Sequence, residues 1–285
     1  MSPLRLAVPN KGRLREPALT LLADAGVDVD ASDRSLIARA ANQDLEILFA
    51  RTGDVIEFVA DGVADLGITG EDLLLEAASE LPVVRRLGFG RCRLSIAVPV
   101  DAPWSTLEQL AGLRIATSHP SILRRLLAER SIAADVIPLS GAVEVAPRLG
   151  VADAIADLVA TGSTLVVNGL RVIEDLLASE AVLVANPDVL PRRAAEVDAL
   201  DTVLGAVLAA RGRTYLMMNA PRGCLEVLEA LLPGLESPSI VPLAHEGMVA
   251  IHSVVPSDDV WSLLPRLKAA GASGLLALPI EKLVP

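Results

Sequence analysis

Short apolar runs alternate along the chain with segments in which apolar residues recur at helical spacing. The first run, residues 4–10, is followed by a helix predicted over residues 16–25 and ended by Gly26. Further runs of β-strand type lie at residues 45–51, 65–70, 94–99, 114–118, 136–139, 154–159, 170–177 and 181–186. Strands that alternate with helices are typical of α/β proteins, so we predict an α/β fold with largely parallel sheets.

The alternation changes after Gly212, where shorter segments follow one another in the order β-α-β-β-α-β. That order defines the ferredoxin-like unit, which folds as a small domain by itself. We therefore predict a C-terminal ferredoxin-like domain over residues 212–285, preceded by one long helix over residues 191–211.

The residues before this domain are predicted to form two lobes, between which the chain crosses twice. Crossings at residues 91–97 and 170–184 give a discontinuous first lobe, residues 1–94 and 178–211, and an inserted second lobe, residues 95–177. We expect this two-lobed core to be like that of periplasmic binding proteins. Its ligand cleft would lie at the hinge, where the loops at the carboxyl ends of strands converge.

The composition restricts the classes of molecule that the protein is expected to bind. Over 285 residues the chain is 52% hydrophobic but only 2% aromatic, so its cores must be built from Ala, Val, Leu and Ile. A formal net charge of −11 argues against nucleic-acid binding through the overall field of the protein.

The first residues have too short an apolar core for a signal peptide, and no apolar run approaches the ~20 residues needed to cross a bilayer. Since the two cysteines form no disulfide framework, we expect a cytoplasmic protein without membrane partners.

Residues 153–159 form an apolar run that contains two acids. Small and hydroxyl-bearing residues follow it directly, up to Thr164. Glycine lets backbone N–H groups approach phosphate oxygens, and the hydroxyls add donors, so this segment suits a phosphorylated sugar. Asp153 and Asp157 would be ~13 Å apart along a strand, too far for both to hold one ribose. Asp157 is therefore the better candidate for a ligand contact, and Asp153 has a supporting role. The alternative is an ordinary strand followed by a turn.

A basic turn follows the first predicted strand. Lys11 and Arg13 flank Gly12 just before a helix, and the chain has only three lysines, so we favour an anion-binding site over a solvated turn. Arg51 closes another predicted strand, where it could contact a phosphate or pair with an acid such as Asp54.

Several other polar residues near predicted strand ends could have either a structural or a functional role. Asp72 lies at a predicted helix start, where capping alone would explain it. Arg93 lies at the proposed hinge, and Glu144 has the spacing of a helical ion pair with Arg148. His119 is interpreted as a neighbour of a helix N-cap or as a satisfied polar side chain.

Six segments of the chain resemble, in the same order, those of the ATP phosphoribosyltransferase family. They are PNKGRL (9–14), ADLGITGEDLL (64–74), GFGRCRL (88–94), RIATSHP (114–120), GAVEVAPRLGVADAIADLVATGSTL (141–165) and GLESPSIVPL (234–243). The C-terminal domain is similar to that of the long form of the family. The resemblance implies that adenine N1 of ATP attacks C1 of the ribose in phosphoribosyl pyrophosphate (PRPP), with Mg²⁺-bound pyrophosphate as the leaving group. Adenine N1 already carries a lone pair, so no strong general base is required.

The resemblance also implies the roles of individual residues. The PRPP contacts would be Asp157, Leu158, Val159, Ala160, Thr161, Gly162, Ser163 and Thr164. The catalytic side chains would be Asp157, Glu144 and Asp153. The ATP contacts would be Lys11, Gly12, Arg13, Arg51, Asp72 and Arg93. At position 160 the family usually has Ser, so one hydroxyl is lost while the backbone N–H remains. Mg²⁺ would be held mainly by the substrate phosphates.

For the C-terminal domain the resemblance implies binding of histidine, with feedback inhibition, and assembly into a homo-oligomer, a hexamer or a dimer. The histidine contacts would be Asn219, Ser237, Ser239 and Ala272. The alternatives to the transferase are a non-catalytic two-lobed protein that binds a small molecule, and a regulatory subunit.

Overall fold

A computed structural model of the chain describes residues 2–29, 35–232, 234 and 237–284. It divides into two units, Met1–Asp198 and Ala199–Pro285. The strands of the first unit are β1 Leu4–Pro9, β2 Ile37–Arg39, β3 Leu45–Ala50, β4 Leu66–Gly70, β5 Val83–Arg86, β6 Cys92–Pro99, β7 Arg114–Thr117, β8 Asp135–Pro138, β9 Ala154–Val159, β10 Leu170–Ser179 and β11 Ala181–Ala185. The helices that begin in this unit are α1 Arg15–Asp24, α2 Asp54–Ala60, α3 Glu71–Glu76, α4 Pro120–Glu129, α5 Ser163–Val167 and α6 Ala194–Ala210.

The described strands of the first unit form two mixed sheets. The first sheet has the order β2-β3-β1-β4-β11-β5, in which β3, β1 and β4 are parallel and the other pairs are antiparallel. The second has the order β10-β6-β9-β7-β8, in which β9, β7 and β8 are parallel. The prediction of largely parallel sheets is therefore wrong, because the strands that carry the chain between the sheets run antiparallel to their neighbours.

The chain passes from the first sheet to the second between β5 and β6, and it returns between β10 and β11, where Glu180 alone separates the two strands. The second sheet is packed by buried aliphatic side chains such as Leu94, Ile96, Ile115 and Leu123 of α4. The loops after β7 and β9 lie at the same edge of this sheet, because these neighbouring strands are parallel. Side chains in those loops can therefore meet.

The second unit contains one antiparallel sheet of order β13-β14-β12-β15. Its elements are β12 Arg213–Pro221, α7 Leu225–Glu229, β13 Ser239–Pro242, β14 Met248–Pro256, α8 Val260–Ala269 and β15 Ser273–Pro279. Leu216 and Met218 of β12 share a core with Leu263 and Leu267 of α8, so the helices cover one face of the sheet. The order β-α-β-β-α-β confirms the predicted ferredoxin-like domain.

Candidate active site

The loop after β9 presents small and hydroxyl residues to solvent. Gly162 has a φ of +80° at the junction with α5, a backbone conformation that glycine adopts without strain. The hydroxyls of Thr161 and Ser163 lie 3.0 Å apart, and both residues are exposed. Leu158 and Val159 instead pack their side chains against the apolar clusters of this lobe. The exposed loop is therefore able to donate backbone N–H and hydroxyl groups to an anion.

Asp157 lies on β9, three residues before Ala160, which is the first exposed residue of the loop. Its Oδ1 accepts a hydrogen bond from the N–H of Leu158 at 2.8 Å. Burial raises the pKa of Asp157 and is the largest effect. The hydrogen bond from Leu158 opposes it, the nearby charge of Glu144 raises the pKa further, and His119 lowers it slightly. The structure thus places Glu144 near enough to Asp157 for their charges to repel each other.

Asp153 lies at the opposite end of β9 from the loop. Its carboxylate accepts two hydrogen bonds from the guanidinium of Arg114, at 3.0 and 3.2 Å, and one from the Arg114 N–H at 2.9 Å. These contacts lower the pKa of Asp153. Because β9 separates the two ends, the structure does not bring Asp153 to the loop with Asp157.

A buried carboxylate connects the two lobes at the hinge. Asp72, at the start of α3, is only 2% exposed. Its Oδ1 accepts hydrogen bonds from the Ser179 hydroxyl at 2.6 Å and from the Arg13 guanidinium at 3.2 Å, while Nε2 of His119 lies 3.4 Å from Oδ2. Burial alone would raise the pKa of Asp72, but the hydrogen bonds from His119 and Ser179 and the charge of Arg13 together lower it. Asp72 is thus held ionised inside the protein by partners from both lobes.

His119 and Ser179 have structural roles that only the fold makes visible. His119 is 5% exposed, and its Nδ1 lies 3.0 Å from the Ser118 hydroxyl, so it is a satisfied polar side chain as interpreted. Ser179 lies 107 residues from Asp72 along the chain and was not among the predicted site residues. A serine on an apolar strand carries no local signal of such a contact.

The basic turn lies at the same edge of the first sheet as Arg51. The end of β1 pairs with the parallel end of β3, and the N–H of Asn10 donates to the Ala50 carbonyl at 2.7 Å. Lys11, Gly12 and Arg51 are therefore neighbouring exposed residues beyond two parallel strands. Arg13 is fixed by hydrogen bonds to Asp72 and, at 2.7 Å, to the carbonyl of Gly90. This edge presents positive charge next to the hinge.

A cleft of about 640 Å³ lies where the chain passes between the lobes. Three guanidinium groups line it, those of Arg86, Arg91 and Arg93. Each pairs with an acid in the first unit: Arg86 with Glu71, Arg91 with Glu180 at 3.4 Å, and Arg93 with Asp175 at 3.0 Å. Val159 and Ala160 line the same cleft. Thr161, Gly162 and Ser163 line a separate pocket of about 720 Å³ together with Arg171. The loop therefore reaches the cleft only through its first residue, Ala160, where the nearby guanidinium groups suit a ligand with several phosphates.

Known proteins that are similar to this chain decide the family. A family model described as ATP phosphoribosyltransferase matches residues 51–205, and one described as the C-terminal domain of HisG matches residues 210–282. The ATP phosphoribosyltransferase of Cytophaga hutchinsonii is 45% identical over 281 residues, covering 99% of this chain and 98% of that protein. The chain belongs to the ATP phosphoribosyltransferase family. The matched C-terminal domain makes it the long form, and the predicted family and enzyme class, a pentosyltransferase, are confirmed.

Another member of the ATP phosphoribosyltransferase family is similar in sequence over nearly the full chain. The protein of Gemmatimonas aurantiaca is 44% identical over 293 residues and is covered completely. A solved structure, the ATP phosphoribosyl transferase (HisG:HisZ) complex from Thermotoga maritima, is 30% identical with a TM-score of 0.61, covering 71% of this chain and 98% of that one. The predicted fold class, a two-lobed α/β core with a C-terminal ferredoxin-like domain, is confirmed. None of the described helices is both long and apolar enough to cross a membrane.

The residues expected to contact histidine are divided between two places in the C-terminal domain. Ser237 and Ser239 line a pocket of about 410 Å³ together with Tyr215 and His252, whose hydroxyl and Nδ1 lie 2.6 Å apart. Asn219 and Ala272 are not among the described residues that line this pocket. Ala272 is buried in the apolar core, and the main-chain carbonyl of Asn219 accepts a hydrogen bond from Ser273. Leu235 and Glu236, in the matched segment 234–243, lie outside the described residues.

Substituting Asp153 by Asn separates a structural role from the catalytic role predicted from the sequence. The ion pair with Arg114 keeps the folded pKa of Asp153 below its ordinary value, so it contributes stability above that ordinary pKa and loses it as pH falls through the lowered one. We expect Asp153→Asn to lower the unfolding temperature at pH 7, by an amount that shrinks as the pH falls through the lowered pKa, with kcat at pH 7 changed less than about threefold. Thermal unfolding over a pH series and steady-state kinetics at pH 7 measure this. A loss of kcat beyond about 100-fold, without loss of stability, would instead support a catalytic role.

Proposed function

We propose that this chain transfers the phosphoribosyl group of PRPP to N1 of ATP, giving phosphoribosyl-ATP and pyrophosphate in the committing step of histidine biosynthesis. The observation that carries the proposal is the end of β9: the loop after it exposes the hydroxyls of Thr161 and Ser163, and its first residue, Ala160, lines a cleft that is also lined by three guanidinium groups. Two substrates that both carry phosphates can be held there side by side. Family membership supports the same reaction.

On this proposal the protein acts mainly by positioning and by electrostatics. The loop, residues 160–164, binds the 5′-phosphate of PRPP through backbone N–H groups and hydroxyls. The carboxylate of Asp157 faces the ribose and stabilises positive charge that develops at C1 as the bond to pyrophosphate breaks. Lys11, Arg13 and Arg51 hold ATP so that the lone pair of adenine N1 points at C1. No side chain needs to remove a proton before attack.

The leaving pyrophosphate requires positive charge that the acidic protein supplies only in part. The described residues contain no group of three or more His, Cys, Asp or Glu side chains that could hold a metal ion alone. Such a site fits Mg²⁺ carried mainly on substrate phosphate oxygens, because Mg²⁺ in phosphate-binding sites uses one or two carboxylates at most. Asp157 and Glu144 would supply those carboxylates. When bound, the ion neutralises negative charge on the pyrophosphate.

Regulation belongs to the C-terminal domain on the same proposal. Histidine would bind at Ser237 and Ser239, where the neighbouring pocket offers hydroxyls and the Tyr215–His252 pair to a polar zwitterion. The enzyme would assemble as a homo-oligomer, a hexamer or a dimer, in the cytoplasm. The pocket and the family resemblance support histidine binding, whereas the assembly and the compartment rest on the sequence and its family resemblance alone.

A substrate-omission assay tests the proposed reaction. We expect pyrophosphate release only when ATP, PRPP and Mg²⁺ are all present, because each substrate alone lacks the attacking or the departing group. Adding histidine should lower the rate of the complete mixture. A pure, folded sample that binds both substrates without turnover would favour a non-catalytic binding protein or a regulatory subunit. Release of pyrophosphate without ATP would show simple hydrolysis of PRPP.

A further inference from the structure

Helix α3 of the first lobe contacts the start of helix α4 in the second lobe through two carboxylates. Asp72 and Glu76 are four residues apart on α3 and so lie on one face of it. The Glu76 carboxylate accepts hydrogen bonds from the N–H groups of Ser121, at 2.9 Å, and Ile122, at 3.0 Å. The second carboxylate, on Asp72, meets His119, the residue that directly precedes α4.

Glu76 stabilises the N-terminus of α4, not its own helix α3. Glu76 is the last residue of α3, where a negative charge opposes the helix dipole. The first N–H groups of α4 have no acceptor within that helix, and the side chain of His119 at its N-cap makes no capping hydrogen bond. Glu76 supplies the missing acceptors from the other lobe, so the contact joins the lobes.

An apolar contact accompanies the two polar ones. Leu75, next to Glu76 on α3, packs against the apolar cluster of the second lobe that contains Ile122 and Leu123 of α4. Asp72 and His119 are both buried at this contact and pair with each other, because an unpaired buried carboxylate would be costly. The contact is therefore a packed interface with directional hydrogen bonds.

We propose that Asp72, Glu76 and His119 form an interlobe clamp, which positions Arg13 of the ATP side relative to Asp157 of the PRPP side. Arg13 donates to Asp72 at 3.2 Å. His119 follows the end of β7, where Thr117 pairs with Ala156, the residue directly before Asp157 on β9. The kinetic consequence of the clamp rests on the proposed transferase function, whereas the clamp itself does not.

Loss of the clamp should change catalysis more than binding. On the proposed function the loop that holds PRPP lies in the second lobe, and Lys11, Arg13 and Arg51 on the ATP side lie in the first. Each substrate therefore keeps most of its contacts when the lobes separate slightly. Attack, by contrast, requires adenine N1 and ribose C1 to be held in line, and small displacements are costly. Glu76 is accordingly a positioning residue whose removal lowers kcat and leaves KM nearly constant.

The test compares Glu76→Ala, Glu76→Gln and the control Glu80→Ala in the full chain. Glu80 is exposed and lies four residues beyond Glu76. For Glu76→Ala we expect kcat to fall at least about tenfold, with KM for ATP and PRPP changed less than about threefold. Amide hydrogen exchange at Ser121 and Ile122 should become at least about tenfold faster. Glu76→Gln keeps one acceptor oxygen and should recover part of both losses, while Glu80→Ala should match the unmodified chain.

Each contrary result has a distinct meaning. Unchanged exchange at Ser121 and Ile122 in Glu76→Ala would overturn the clamp, and faster exchange with unchanged kcat would overturn its positioning role. Hydrogen exchange needs no turnover, so it tests the clamp even if the chain proves inactive, and inactivity of the unmodified chain counts against the proposed function alone. Should Glu76→Ala fail to fold, the milder Glu76→Gln provides the same exchange measurement.

Discussion

Replacing Gly162 with valine is expected to lower turnover by at least about 100-fold while the protein still folds. At a φ of +80° a β-branched residue is strained by about 1–3 kcal/mol, which shifts the N–H groups of the loop. An added Cβ meets no close neighbour, since the nearest atom outside the adjacent residues is Val159 Cγ1 at 3.8 Å. The new side chain therefore occupies space outside the protein interior, where the 5′-phosphate of PRPP must approach. Pyrophosphate release and thermal unfolding measure the two effects separately.

Gly112 provides a matched control for Gly162→Val. It has a φ of +78°, lies in the same lobe between Leu110 and β7, and has open space around the position of a Cβ. Gly112→Val thus introduces the same backbone strain away from the loop, and we expect a similar loss of stability with unchanged turnover. Full activity in Gly162→Val, or equal inactivation of both variants, would show that the loop does not hold phosphate.

The end of the strand before the loop was predicted correctly from the sequence because its signal is local. The strand predicted at residues 154–159 is β9, and the change from apolar to small and hydroxyl residues marks the end of that strand. The spacing of Asp153 and Asp157 also sufficed to separate them, since strand geometry fixes the distance between positions four apart. Their positions at opposite ends of β9 follow from the same rule.

The partners of Asp72 and the strand directions could not be predicted in this way. Ser179 and His119 reach Asp72 only because the two lobes meet at the hinge, and no spacing along the chain records that. Apolar periodicity identifies a strand but not the direction of its neighbour, so the antiparallel pairing of β6, β10 and β11 was missed. Both failures concern contacts between segments far apart in sequence.

Substituting Asp157 by Asn should lower kcat about 100- to 1,000-fold, because the variant loses the charge that stabilises the developing cation at ribose C1. Burial and Glu144 raise the folded pKa of Asp157, so the ionised form is less favourable in the folded state than in the unfolded chain. Removing the charge should therefore leave the unfolding temperature at pH 7 equal or higher. In the unmodified enzyme, kcat should fall as pH decreases through this raised pKa, at a higher pH than for an ordinary Asp. Kinetics over a pH series and thermal unfolding test all three effects.

Asp153→Asn is the matched control for Asp157→Asn, because each substitution removes one carboxylate at one end of the same strand. Loss of the Arg114 ion pair should destabilise the fold with little effect on kcat, whereas Asp157→Asn should do the opposite. A variant Asp157→Asn that unfolds earlier and retains turnover would assign the carboxylate to stability. The opposite pattern is what electrostatic catalysis requires, because a charge placed where the fold disfavours it is retained for its effect on the substrate.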